Sequence, residues 1–144
     1  VVVDASLALK WVVNEHRSPE ARRLLRDWED ANVVLLAPML FATECANGLY
    51  HRVTKSQITI AQAKPLLDAL LARGVKVVRP SGDVLKRSLE MAETLSQPHI
   101  YDCQYAATAE RLGGEFWTGD RLFCDAAQPS LAFIHWIGER DGII

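Results

Sequence analysis

Three β-branched residues open the chain, Val1-Val2-Val3, and the run stops at the carboxylate of Asp4, followed by Ala5-Ser6. A continuous β-branched run suits a strand covered on both faces, as in a parallel sheet, rather than a half-solvated antiparallel strand. The remaining chain must therefore supply cover on two sides. Asp4 stands at the C-terminal end of this strand, the edge of an open parallel sheet where ligands bind.

The chain that follows alternates helical and strand-like stretches. Leu7 to Val13 reads as a short helix running into the polar turn Asn14-Glu15-His16-Arg17. A second helix has Ser18 as its cap, Pro19 at its first position and an apolar stripe of Ala21, Leu24, Leu25 and Trp28. Val33 to Ala37 reads as the second strand, closed by Pro38, and Leu40 to Val53 as the helix after it. Thr59 and Gln62 form a capping box for a helix with Ala63, Leu66, Leu67, Leu70 and Leu71 on its apolar face and Gly74 at its stop. Val75 to Arg79 is the third strand. Ser81 to Ser96 is helical, with Leu85, Leu89, Ala92 and Leu95 on one face. A helix from Tyr101 to Leu112 ends at Gly113-Gly114, Glu115 to Thr118 is the fourth strand, and Leu131 to Trp136 the fifth.

Strands separated by helical segments imply right-handed crossovers, hence an α/β fold with a mostly parallel sheet of four to five strands and helices on both faces. The length of 144 residues suits one domain spanning residues 1–144. With 49% hydrophobic and 24% charged residues the chain reads as globular and soluble; it has no run long enough to cross a membrane, and no segment reads as a signal peptide. The expected location is cytoplasmic. Cys45, Cys103 and Cys124 are odd in number and widely spaced, which argues for core thiols rather than disulfides or a zinc site. A net charge of -2 predicts no broad basic surface, so any nucleic-acid contact must come from a local cluster.

The parallel topology gathers four acids. A crossover helix runs antiparallel to the strands, so Glu44, early in the helix after strand two, and Asp102, in the first turn of the helix before strand four, belong at the same edge as Asp4. Asp120, just past strand four, joins them. Glu44 and Asp102 lie in apolar surroundings, Phe41-Ala42-Thr43-Glu44-Cys45-Ala46 and Tyr101-Asp102-Cys103-Gln104-Tyr105-Ala106, with no obvious cationic partner nearby. Carboxylates held together on apolar surfaces repel and are costly to ionise, and a hard divalent cation with oxygen ligands removes that cost. Mg²⁺ or Mn²⁺ is the natural candidate. Three of the acids, and Ser6 beside them, also have a plainer role open to them: Asp4 and Ser6 as helix caps, Asp102 as a favourable first-turn acid, Asp120 as a turn residue paired with Arg121; Glu44 is the hardest to dismiss. Asp125 reads first as a surface acid. None of the four histidines has metal-ligand spacing.

Val3-Asp4-Ala5-Ser6, Thr43-Glu44-Cys45-Ala46-Asn47, Tyr101-Asp102-Cys103-Gln104-Tyr105-Ala106 and Thr118-Gly119-Asp120-Arg121-Leu122-Phe123, in that order, resemble the motifs of PIN-domain nucleases. The likeness is greatest to the small single-domain VapC toxins of type II toxin-antitoxin pairs and covers essentially the whole chain. It implies a three-layer α/β/α sandwich and metal-dependent hydrolysis of RNA phosphodiesters. By this resemblance Asp4, Glu44, Asp102 and Asp120 match catalytic, metal-binding acids for one or two Mg²⁺ or Mn²⁺ ions, with Ser6 and Thr118 as supporting hydroxyls. It further implies a homodimer and a cognate antitoxin.

Arg52, Arg121, Lys10 and Lys55 are placed to guide phosphates, a solvated surface being the preferred reading for Lys10 and Lys55. Two other readings compete: a PIN-like interaction module without catalysis, and an aspartyl-phosphate receiver or phosphatase. The second lacks the Asp-x-Asp of such phosphatases and a suitably placed receiver lysine.

Overall fold

The structure, a computed structural model, describes residues 1–142. Its elements in chain order are β1 (Val2–Val3), α1 (Ala5–Val12), α2 (Ser18–Asp30), β2 (Leu36–Pro38), α3 (Leu40–Thr54), α4 (Ile60–Leu71), β3 (Lys76–Val78), α5 (Gly82–Thr94), α6 (Tyr101–Leu112), β4 (Phe116–Thr118), α7 (Arg121–Ala127) and β5 (Ile134–Trp136), followed by a 3-10 segment (Ile137–Gly142).

All five strands pair in parallel in the order β3-β2-β1-β4-β5. The chain winds outward from β1 through β2 to β3, then returns to β1's other side for β4 and β5. The direction reverses between β1 and β4, and the C-terminal ends of those two strands carry Asp4 and Thr118. A reversal of this kind opens a crevice at the strand ends, because the adjoining crossovers leave on opposite faces. Helix α6 packs across β1, β2 and β4, and α5 lies on α6. Helix α1 packs on α2, α3 and α4, completing the layers around the sheet. Val2, Val3, Ala37, Phe116 and Ile134 join Leu7, Leu24, Phe41, Leu49, Leu70, Met91 and Tyr105 in one core cluster.

Local chemistry explains where the sequence reading shifts. Helix α1 begins at Ala5, before the expected Leu7, because Asp4 is its cap and accepts from the Leu7 amide. Ser18 does not cap α2. Arg17 holds that position at φ 66° without a side-chain cap, while the buried Ser18 hydroxyl donates to the Val13 carbonyl and accepts from the Glu15 amide. The second strand forms at Leu36–Pro38 rather than Val33 to Ala37, set by the register of Val2 on Leu36. The capping box at Thr59 and Gln62 is present on both sides. On α5 the core stripe is Val84, Ser88, Met91 and Ala92, and Leu85 and Leu89 face outward instead. Ser88 fits this apolar face because its hydroxyl donates to the Val84 carbonyl. The seven-residue α7 is an addition to the expected elements.

Candidate active site

Asp4 is the centre of a hydroxyl and amide network at the β1/β4 crevice. It is only 3% exposed. Its Oδ1 accepts from the Ser6 hydroxyl at 2.8 Å and the Leu7 amide at 2.9 Å, and its Oδ2 accepts from the Thr118 hydroxyl at 2.5 Å. Each hydroxyl has one proton to give, so the Ser6 and Thr118 protons are both committed to Asp4. Their lone pairs take the next two amides of the chain: Gly119 N–H donates to Ser6 Oγ at 2.9 Å and Asp120 N–H to Thr118 Oγ1 at 2.9 Å. Three of the carboxylate's four acceptor positions are thus filled, and the fourth lies on Oδ2.

The same contacts tie the β4–α7 turn to the first turn of α1. Gly119 makes this approach possible: a Cβ there would stand 2.7 Å from the Ser6 carbonyl oxygen and 3.0 Å from Lys10 Cε. Asp120 then caps α7, its Oδ1 accepting from the Phe123 amide at 3.0 Å. The capping role read from the sequence for Asp4 is therefore real, and Asp120 caps α7 where the sequence suggested a turn residue paired with Arg121. Both caps coexist with placement at the crevice, since a carboxylate has acceptor positions to spare.

Helices α3 and α6 bring the other two acids. Glu44 Oε1 accepts from the buried Tyr105 hydroxyl at 2.6 Å, so the Tyr105 side chain braces α3 from α6. Asp102, one turn before Tyr105, has no hydrogen-bond partner among the described residues and is partly open to solvent. Burial, followed by the fields of Asp4, Asp120 and Glu44, pushes its carboxyl up to about 7. Burial also raises Asp4, against the pull of its hydrogen bonds to Thr118, Leu7 and Ser6, and Asp120 adds to the rise. Glu44 is raised by burial and Asp4, with the Tyr105 bond acting the other way. The four acids therefore share one electrostatic neighbourhood, as the topology predicts. Among the described residues, however, no three His, Cys, Asp or Glu side chains form a ready-made metal cage.

Comparison with known proteins agrees with this fold. The PIN domain family matches residues 1–129. The chain belongs to the PIN-domain family. Ribonuclease VapC3 of Pyrobaculum aerophilum is 31% identical over 127 residues, covering 87% of this chain and 92% of the relative. Two crystal structures share the fold. One is Mycobacterium tuberculosis VapC20, described as a Sarcin-Ricin loop cleaving toxin, with TM-score 0.66 and 17% identity over 90% of this chain and 95% of its own. The other is PAE2754 of Pyrobaculum aerophilum, with TM-score 0.66 and 22% identity over 96% of this chain and 84% of its own.

Around the acids of this PIN domain the cations are arranged unevenly. Arg52 donates from Nη2 to Glu15 at 2.5 Å and from Nη1 to the Gly48 carbonyl at 2.8 Å. Lys10 donates to Glu15 at 3.2 Å and to the His16 carbonyl at 3.0 Å. Both side chains are about one-seventh exposed, 15% and 14%, so Lys10 is not the solvated surface residue expected. The two cations lower the Glu15 carboxyl against the opposing effect of its burial. Lys55 is exposed, and Asp125 faces solvent on α7 in a 3.4 Å pair with Arg121. Arg121 thus pairs with Asp125, four residues along its own helix, rather than with Asp120. All three cysteines are free and buried, and burial pushes Cys45 and Cys124 up to about 12 and Cys103 to about 11, which keeps them inert.

Sequence reasoning missed Tyr105 and Glu15. Tyr105 had a signal, since its i+3 spacing from Asp102 places both on one helix face. Glu15 had none, because its partner Arg52 is 37 residues away.

Proposed function

We propose that this PIN domain is a divalent-metal-dependent ribonuclease, acting as the toxin of a toxin-antitoxin pair. The observation that carries the reading is the electrostatic coupling of Asp102 to Asp4, Asp120 and Glu44 at the β1/β4 crevice. Three carboxylates raised in common, two of them partly by the charge of Asp120, are a costly arrangement for stability alone, and it is the arrangement a cation relieves. The 31% identity to a ribonuclease over most of both chains supports the substrate class.

The donor set fits Mg²⁺ or Mn²⁺, since it is all oxygen and includes the open carboxylate of Asp102 and one vacant acceptor position on Asp4 Oδ2. Asp4 and Asp102 would be direct ligands, with Glu44 and Asp120 ligating directly or through water. Because no cage is preformed among the described residues, these side chains would draw together on binding. A bound ion of this kind supplies Lewis-acid stabilisation of the phosphate and a lowered pKa for the attacking water.

The chain's own residues do the rest. Ser6 and Thr118 orient Asp4 and hold it as an acceptor on both oxygens, a form that favours ligation. Tyr105 fixes the Glu44 rotamer and leaves Oε2 free to position water. Arg121, exposed beside Asp120, contacts the RNA backbone; Arg52 acts with Lys10 and Glu15 as a largely covered cationic brace at the rim. The unit spans residues 1–144 and works in the cytoplasm. A homodimer and a cognate antitoxin belong to the same reading. Exposed Leu85 and Leu89 on α5, and Tyr50 and Ile60 beside the α3–α4 groove, are apolar surfaces such partners would cover.

The test is incubation of purified, antitoxin-free protein with labelled structured and single-stranded RNAs in Mg²⁺ or Mn²⁺. Cleavage is expected, and it disappears in EDTA and in Asp102→Asn. RNA left intact by the native protein under every condition, with no metal bound, would instead favour a non-catalytic interaction module.

A further inference from the structure

The acidic crevice repels the phosphates it must receive, and the net charge of -2 gives the chain no general basic surface to offset this. Cations must therefore flank the crevice locally. Lys10 and Arg52 are largely spent on Glu15 and mostly covered. Arg121 differs. Its side chain is 67% exposed, and its partner Asp125 is 64% exposed at 3.4 Å, the type of surface pair that contributes little and exchanges readily for a phosphate.

Arg121 is nevertheless held in place. Its guanidinium carbon lies 5.1 Å from the ring centroid of Trp136, and that of Arg17 lies 5.4 Å from the same ring. Trp136 ends β5 directly opposite Thr118 on β4, one strand spacing from the hydroxyl that binds Asp4. The ring is itself fixed. A Cβ on Gly138 would fall 2.1 Å from two of its atoms, so the backbone after β5 lies against the indole. Arg17 is anchored in turn by Glu20 at 3.2 Å. A guanidinium packed on an aromatic ring gives up rotamer freedom and keeps its N–H donors for an anion, which suits bidentate capture of phosphate.

We propose that Trp136 is a positioning residue that presents Arg121 as a phosphate clamp on the RNA strand beside the scissile group. This rests on the ribonuclease reading and adds to it where the strand passes: over the β5 side of the crevice, held by its backbone irrespective of base. The clamp acts through binding, so it governs KM and leaves kcat to the acids.

The experiment compares native protein with Arg121→Ala, Arg121→Lys, Trp136→Phe and Trp136→Leu. KM and kcat are measured on a short single-stranded RNA in Mn²⁺, and the salt dependence of RNA affinity is measured in an Asp102→Asn background. Arg121→Ala is expected to raise KM about tenfold with kcat within about twofold, and to reduce the log–log salt slope by about 0.7, one phosphate contact. Trp136→Leu raises KM about threefold, Trp136→Phe restores most of the loss, and Arg121→Lys does not restore binding because the fork is gone. Unchanged KM and salt slope in Arg121→Ala, an exposed change that leaves folding intact, would overturn the clamp while native cleavage keeps the nuclease reading. Loss of a co-expressed protein partner with RNA affinity intact would also overturn it, in favour of a protein-docking role. Native protein that neither binds nor cleaves RNA would remove both readings.

Discussion

Asp102→Asn should abolish cleavage and yet stabilise the metal-free protein. The Asp102 carboxyl is pushed up to about 7 by burial and by Asp4, Asp120 and Glu44, against an ordinary value of 3.8. Its folded form therefore keeps a proton that the unfolded chain has already lost, and stability falls as pH rises between those values. Below about pH 4 the neutral carboxyl brings almost no penalty; above about pH 7 the penalty is complete. The full shift corresponds to roughly 4 kcal/mol, and partial solvent access reduces it to about 2 kcal/mol. Asparagine mimics the neutral acid and avoids the penalty at every pH. Urea unfolding in EDTA, at about pH 4 and about pH 8, should show the variant gaining on the native protein by about 2 kcal/mol across that interval. Excess Mn²⁺ should reverse the order at pH 8, because the native protein binds the ion more tightly. A stability gap that is the same at both pH values, or a variant less stable at pH 8 in EDTA, would refute the coupling of these acids.

Thr118→Val leaves the buried Asp4 Oδ2 without its donor and the Asp120 amide without its acceptor; calorimetric melting should show a loss of about 1–3 kcal/mol, and metal affinity should fall about 10–100-fold. Gly119→Ala drives a methyl onto the Ser6 carbonyl at 2.7 Å, parting the β4–α7 turn from α1, with an expected cost of about 1–3 kcal/mol and a large drop in turnover by the RNA assay. Tyr105→Phe deletes the donor to Glu44 and should cost about 1–2 kcal/mol in urea unfolding, while the Glu44 carboxyl rises further, moving the acid limb of the cleavage–pH profile upward.

The layout of the site is legible in the sequence because it follows from topology. A β-branched run that ends on Asp4 fixes one acid at a strand end, and the direction of the crossovers brings Glu44, Asp102 and Asp120 to the same edge. The capping box at Thr59 and the stop at Gly113 are local chemistry and read equally well. Long-range packing is not legible in this way. Nothing near Arg52 announces its pairing with Glu15 on the α1–α2 connection, and nothing around Leu85 and Leu89 shows that α5 turns Ser88 inward instead. Helix α7 is hidden for another reason: with seven residues it has too few turns for a 3.6-residue period, and its start is marked only by Asp120. The role of Trp136 depends on one arginine from the turn before α2 and one from α7 meeting on one ring, a coincidence of tertiary structure.

The central claim is that the four acids form one metal-dependent site for RNA cleavage. It is tested most directly by titrating Mn²⁺ calorimetrically into the metal-free protein near pH 6.5 while following the cleavage rate of a labelled RNA in matched samples. The account predicts a rate that rises in step with Mn²⁺ occupancy, proton release on binding as Asp102 ionises, and loss of both in Asp102→Asn. Cleavage that persists in EDTA, or Mn²⁺ binding that leaves the RNA intact at full occupancy, would contradict it.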